Sequence, residues 1–157
     1  MAIECTLKDL LLAHKALRRI NEEARLDAKS AWTVARMLRK MKPELSDHDD
    51  AVRKLTLDAG GQVTGFGQLG IEPIVRDKKE SDATFLARVE ARRLRLEALY
   101  KGVENLSEQK VSIDLDPLPL SIFTAAAEGA PALKVSGNDL ADLGPFLADD
   151  QEEVKKT

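Results

Sequence analysis

Apolar residues recur at helical spacing along three long stretches of this chain. In the first, Leu7, Leu10, Leu11, Leu17, Ile20 and Ala24 fall on one face, with Lys8, Lys15, Arg18 and Arg19 elsewhere. Thr6 followed by Asp9 gives that helix a capping-box start. The chain can turn around Arg25–Leu26, and Asp27 is positioned to cap a second helix running toward Leu57. Asp58-Ala59-Gly60-Gly61 would end it. Its expected stripe is Ala28, Ala31, Ala35, Leu38, Leu45, Val52 and Leu55, the small alanines letting the first two helices approach closely. Pro43 interrupts this pattern, because proline lacks the helical donor and collides with the preceding turn. The stripe continues through Leu45, which predicts a long helix kinked or briefly interrupted at Pro43. A third helix, from about Ala83 to Leu106 and capped by Ser81 or Asp82, presents Phe85, Leu86, Val89, Leu96, Leu99, Tyr100 and Val103.

The pattern changes between these helices and after them. Residues 60–77 are rich in glycine, and Val63 with Ile71–Val75 suggests a small hairpin. At Lys110–Phe123, Val111, Ile113 and Leu115 alternate with Ser112, Asp114 and Asp116, the period of a half-buried strand. Pro117 and Pro119 end regular pairing, and Leu118, Leu120, Ile122 and Phe123 continue as an extended apolar segment across the helices. Residues 124–137 read as a loop with a short extended piece at Leu133–Val135. Ser136 or Asn138 opens a short helix, Asp139 to Leu143, stopped by Gly144-Pro145, after which Phe146 and Leu147 fold back onto the core. The expected fold is α+β and predominantly helical: a helical hairpin, a third long helix and a small β-sheet. It forms one α-rich domain over residues 1–147, with a flexible acidic and polar tail at 148–157.

Composition supports this outline and narrows the function. In 157 residues, 43% are apolar and 32% charged, as in a globular protein, while only 4% are aromatic. Leucine, alanine, valine and isoleucine must therefore build the core. A net charge of −3 gives no overall signal for nucleic-acid binding. The single cysteine, Cys5, cannot form a disulfide within the chain, and no apolar run approaches a membrane span. The N-terminal residues lack the basic and cleavage features of a signal peptide, so a cytoplasmic location is expected.

Residues with chemical potential are few. Gly65-Phe66-Gly67-Gln68-Leu69-Gly70 spells the dinucleotide fingerprint, but that motif works only with a strand before it and a helix directly after it. Here a long helix precedes and an extended stretch comes after, so a glycine-rich turn is the better reading. Asp47-His48-Asp49-Asp50 mixes an imidazole with carboxylates, but neighbouring residues on a helix point apart, which favours a solvated acidic turn. His14 and His48 are too far apart on a helical hairpin to meet. Cys5 has no basic neighbour in sequence to activate its thiol. No catalytic residue, metal set or cofactor is predicted. Two basic stripes remain. Arg36, Arg39 and Lys40 lie on the second helix, and Arg88, Arg92 and Arg95 on the third, each at spacings that share a helix face. They are the candidate contacts for an anion such as a phosphate group.

The order of parts resembles a group of small helical proteins of unknown function encoded by tailed phages and prophages. TLKDLLLAHKAL, AWTVARMLRKMKPEL, VSIDLDPLPLSIF and SGNDLADLGPFL carry the likeness, which spans most of residues 6–147. It implies a viral origin and supplies no catalytic residues. The expected function is that of a non-catalytic accessory protein acting on a host process by binding. Its partner would be a host protein or an anionic nucleotide-like ligand, and the chain would work as a homo-oligomer. The alternative is a structural or assembly component of the virion.

Overall fold

The computed structural model describes residues 1–23, 26–63, 69–123 and 135–148. Among these it has four α-helices: α1 (Leu7–Glu23), α2 (Ala28–Asp58), α3 (Asp82–Ser107) and α4 (Gly137–Leu143). Two antiparallel strand pairs join them, β1 (Ala2–Thr6) with β4 (Lys110–Asp114) and β2 (Gln62–Val63) with β3 (Leu69–Gly70). The fold is thus α+β and mainly helical. Contacts divide the chain into two compact units. Unit 1 comprises Met1–Ser46 with Glu108–Thr157, and unit 2 is Asp47–Ser107, so that α2 contributes to both.

Unit 1 holds the deepest core. Ile3 and Cys5 on β1 face inward, and the register sets Ile3 opposite Ile113 and Cys5 opposite Val111. The alternation at Val111, Ile113 and Leu115 behaves as the sequence pattern predicts, with Ser112, Asp114 and Asp116 on the exposed side. Its partner β1 is an unexpected strand, although Ala2-Ile3-Glu4-Cys5 has the same two-residue period. The extended path expected beyond Pro119 is replaced at Leu120–Phe123 by a 3₁₀ turn that buries Phe123. In the capping box of α1, Thr6 and Asp9 exchange hydrogen bonds of 3.0 and 3.1 Å. The same device starts α4, where Ser136 and Asp139 cap one another and Arg19 of α1 pairs with the buried Asp139 carboxylate. That pair ties α4 to α1.

The close partner of α1 is α4 rather than the alanine-lined start of α2. Ala28 is exposed and Ala31 and Ala35 are half-buried, while Val34, Met37, Met41 and Leu45 form the buried face of α2. Larger side chains release more apolar surface from water, so they decide which way the helix turns. Pro43 sits on the exposed side, and the helix is unbroken across it. Water can solvate the carbonyl that loses its donor there.

Unit 2 is built on the end of α2 and on α3. Asp58 ends α2, and Gly60 comes next but one with φ +83°, a left-handed backbone that suits glycine. The amides of Gly60 and Gly61 donate to the carbonyls of Leu57 and Thr56, which closes the helix end. The small sheet pairs Gln62–Val63 with Leu69–Gly70; the expected strand at Ile71–Val75 is not one. Ser81 caps α3 through the Thr84 amide. Gly102 lets Leu55 of α2 pack against α3, where a Cβ would meet the leucine methyls at 3.3 Å. No side chain of α3 is fully buried, and Leu86, Val89, Leu94 and Tyr100 of its apolar residues are exposed.

Candidate anion-binding site

The i, i+4, i+7 spacing of Arg88, Arg92 and Arg95 puts all three on one wall of a cleft of about 450 Å³ in unit 2. The opposite wall is the Ile71–Ile74 segment, and Gly60 and Gln62 close one end. Ala87 and Ala91 line the same cleft and leave space that longer side chains would fill.

The three guanidinium groups are not equivalent. Arg88 holds both oxygens of Glu80 at 2.8 Å, and that contact lowers the Glu80 pKa. Arg92 donates to the carbonyls of Glu72 at 3.1 Å and Ile71 at 3.4 Å, so it braces the facing wall. Arg95 is exposed and has no ion pair or hydrogen bond among the described residues. Its Nη1 lies against Gly60, 3.3 Å from where a Cβ would stand. Glycine at 60 therefore serves the turn and also leaves room for this side chain. An unpaired guanidinium at a cleft wall presents a planar fork of donors suited to a carboxylate or phosphate. The other arginine of α3, Arg93, is engaged within the helix, bridging Glu90 at 2.7 Å and Glu97 at 3.1 Å.

The second basic stripe lies in unit 1 and is built differently. Arg36 and Lys40 line a cleft of about 400 Å³ with Trp32, Asp114, Asp116 and Pro117. The Arg36 guanidinium sits over the Trp32 ring at 5.4 Å, a cation–π contact. Lys40 Nζ donates to the Asp114 carbonyl at 2.6 Å, with the Asp114 carboxylate 3.9 Å away. Arg39 is exposed and outside the cleft lining. Lys40 is engaged by Asp114 and Arg36 stacks on Trp32, whereas Arg95 has no partner among the described residues, so the unit 2 cleft is the stronger candidate.

Spacing alone brings Arg88, Arg92 and Arg95 together. It does not reveal that Glu80 and two backbone carbonyls have already engaged two of them, because those partners come from the segment before α3. Within the helical pattern, the i, i+4 relation of Trp32 and Arg36 is the readable signal for their stacking.

The other candidates resolve more simply. Gly65–Gln68 lie outside the described residues, but beyond Gly70 the chain forms no helix until α3 begins at Asp82. No helix N-terminus comes directly after the glycines, as a pyrophosphate site would require. His48 contacts the neighbouring Asp49 at 3.4 Å. Among the described residues no group of three His, Cys, Asp or Glu side chains could hold a metal ion. The expected extended piece at Leu133–Val135 and the tail fall largely outside the described residues.

Cys5 is buried, and burial with the nearby Asp9 and Glu44 carboxylates pushes its thiol pKa up to about 11. The thiolate is the reactive form, so a nucleophilic role is disfavoured. In the unfolded chain the thiol has its ordinary pKa. This group therefore stabilises the native state fully below that value, and the contribution is lost as pH rises through about 11. At pH 8 the folded protein should react with iodoacetamide about a hundred-fold more slowly than the urea-unfolded chain, as the raised pKa requires. Equal rates would contradict the buried, protonated thiol.

Comparison with protein-family models, with curated proteins and with solved structures returned no match.

Proposed function

We propose that this chain is a non-catalytic binding protein that takes an anionic ligand into the Arg88–Arg92–Arg95 cleft. The observation that carries this reading is Arg95, a cation without a partner among the described residues, on the wall of a cleft whose other arginines hold its shape. Arg36, Arg39 and Lys40 are the lesser candidates, because Arg36 stacks on Trp32 and Lys40 is engaged by Asp114. The setting is a phage or prophage accessory protein that interferes with a host process in the cytoplasm. The sequence pieces RMLRKMKPEL and IDLDPLPLS support that origin. Among the described residues no helix is long and apolar enough to cross a membrane.

Homo-oligomerisation belongs to the same proposal, supported by the exposed Leu86, Val89 and Tyr100 on α3. Apolar side chains on one helix face favour a covering partner. The same face favours the second reading, a virion structural or assembly component, which would be found in purified particles by mass spectrometry.

Thermal denaturation with a panel of phosphate, carboxylate and nucleotide anions tests the cleft. A ligand at a hundred times its Kd stabilises the native state by about 2.7 kcal/mol, enough for a clear rise in Tm. Arg95→Ala should remove that rise while leaving the melting of the free protein nearly unchanged, since Arg95 is exposed and bonds to no described residue. A rise that survives Arg95→Ala, or no rise with any anion, would refute the assignment.

A further inference from the structure

Resting on that reading, we infer that the unit 2 cleft takes an amphiphilic anion, an apolar body carrying a single carboxylate or phosphate head, rather than a polyphosphate. The free donors in the cleft are the first reason. Glu80 balances Arg88 through both carboxylate oxygens, and Arg92 is spent on the Glu72 and Ile71 carbonyls. What remains among the described residues is one unengaged guanidinium fork, that of Arg95. A triphosphate would bring several negative charges to a site with one available fork.

The remaining walls are the second reason. Ile71, Ile74, Ala87 and Ala91 supply apolar surface, and Ile71, Ile74 and Ala91 are half-buried there. A ligand that covers them removes that surface from water, a gain unavailable to a small inorganic anion. Among the described residues no aromatic ring lines the cleft to stack on a nucleobase. A volume of about 450 Å³ falls within the ordinary range for small-molecule sites. Arg92 acts here as a positioning residue, because its bonds to the Ile71 and Glu72 carbonyls hold the apolar wall opposite α3.

The test measures binding of decanoate, kept below its micelle-forming concentration, against orthophosphate and ATP by isothermal titration calorimetry on the full chain. Decanoate should bind at least ten-fold more tightly than either competitor, and Arg95→Ala should weaken it at least ten-fold. Ile74→Thr should weaken decanoate several-fold and leave orthophosphate unchanged, which keeps the test decisive if Arg95→Ala folds poorly. Arg95-dependent binding of ATP or orthophosphate as tight as that of decanoate would overturn the amphiphile and leave the anion cleft standing. Binding of all three that ignores both substitutions, or no binding at all, would overturn both.

Discussion

Phe146→Ala is expected to destabilise unit 1 by about 3–5 kcal/mol, the usual cost of emptying a buried aromatic site. Phe146 is fully buried at the end of the 3₁₀ turn Gly144–Phe146 directly after α4, and this turn packs against β1, α1 and α4. Its backbone is committed too. The Phe146 carbonyl accepts from the Leu118 amide at 2.7 Å, and the Leu118 carbonyl accepts from Ala148 at 2.9 Å. The cavity left by alanine therefore cannot collapse without breaking the bridge that holds the chain after β4. Domains of this size have total stabilities of only about 5–15 kcal/mol, so the variant should lie close to unfolding at 37 °C. Urea denaturation followed by Trp32 fluorescence measures the effect, since Trp32 belongs to unit 1. A midpoint shift equivalent to less than about 1 kcal/mol would show that the site relaxes and that this packing is not tight.

How much of this is readable in the chain depends on the range of the interaction. Local signals carry well. The boxes at Thr6–Asp9 and Ser136–Asp139, the cap at Ser81 and the stop at Gly60-Gly61 all depend on residues within one turn of each other. The period-two run at Val111–Leu115 is equally clear, because alternation is set within the strand itself. Its pairing with Ala2–Thr6 is not, since the two strands are separated by three long helices in sequence and neither names its partner. The buried face of α2 is hard to read for a related reason. Alanines fit more than one helix orientation, whereas Val34, Met37 and Met41 bury enough surface to select one.

The candidate site divides along the same line. Helical spacing is sufficient to group Arg88, Arg92 and Arg95, but which of them is free depends on Glu80 and on two carbonyls of the segment before α3. A row of three arginines in sequence suggests a polyanion; in space, Arg95 alone of the three is free among the described residues. Tertiary pairing thus decides which guanidinium keeps its donors free, and no residue count could have shown it.

Gly61→Ala should destabilise unit 2, where it is expected to cost about 1–3 kcal/mol from overpacking. A Cβ at this buried position would stand 2.6 Å from Thr56 Cγ2, 2.8 Å from the Thr56 carbonyl oxygen and 3.1 Å from the Gly70 carbonyl oxygen. Two of those three atoms are backbone, and Thr56 has little freedom to yield. Its hydroxyl donates to the Val52 carbonyl at 2.9 Å, and its own carbonyl accepts from Gly61 at 2.8 Å. Rotating the threonine would bury an unsatisfied hydroxyl, while moving residue 61 would pull β2 from β3 and displace Gly60 from Arg95. Gly70→Ala is the matched control, because a Cβ there meets nothing within 4 Å. Thermal denaturation by circular dichroism should show a lower Tm for Gly61→Ala and little change for Gly70→Ala. The anion affinity of the Gly61→Ala cleft should fall as well, because the turn that closes one end of it must move. Equal Tm values for the two variants would mean that the turn is loose enough to absorb a methyl group, and the cleft wall built on it would then be no fixed surface for a ligand.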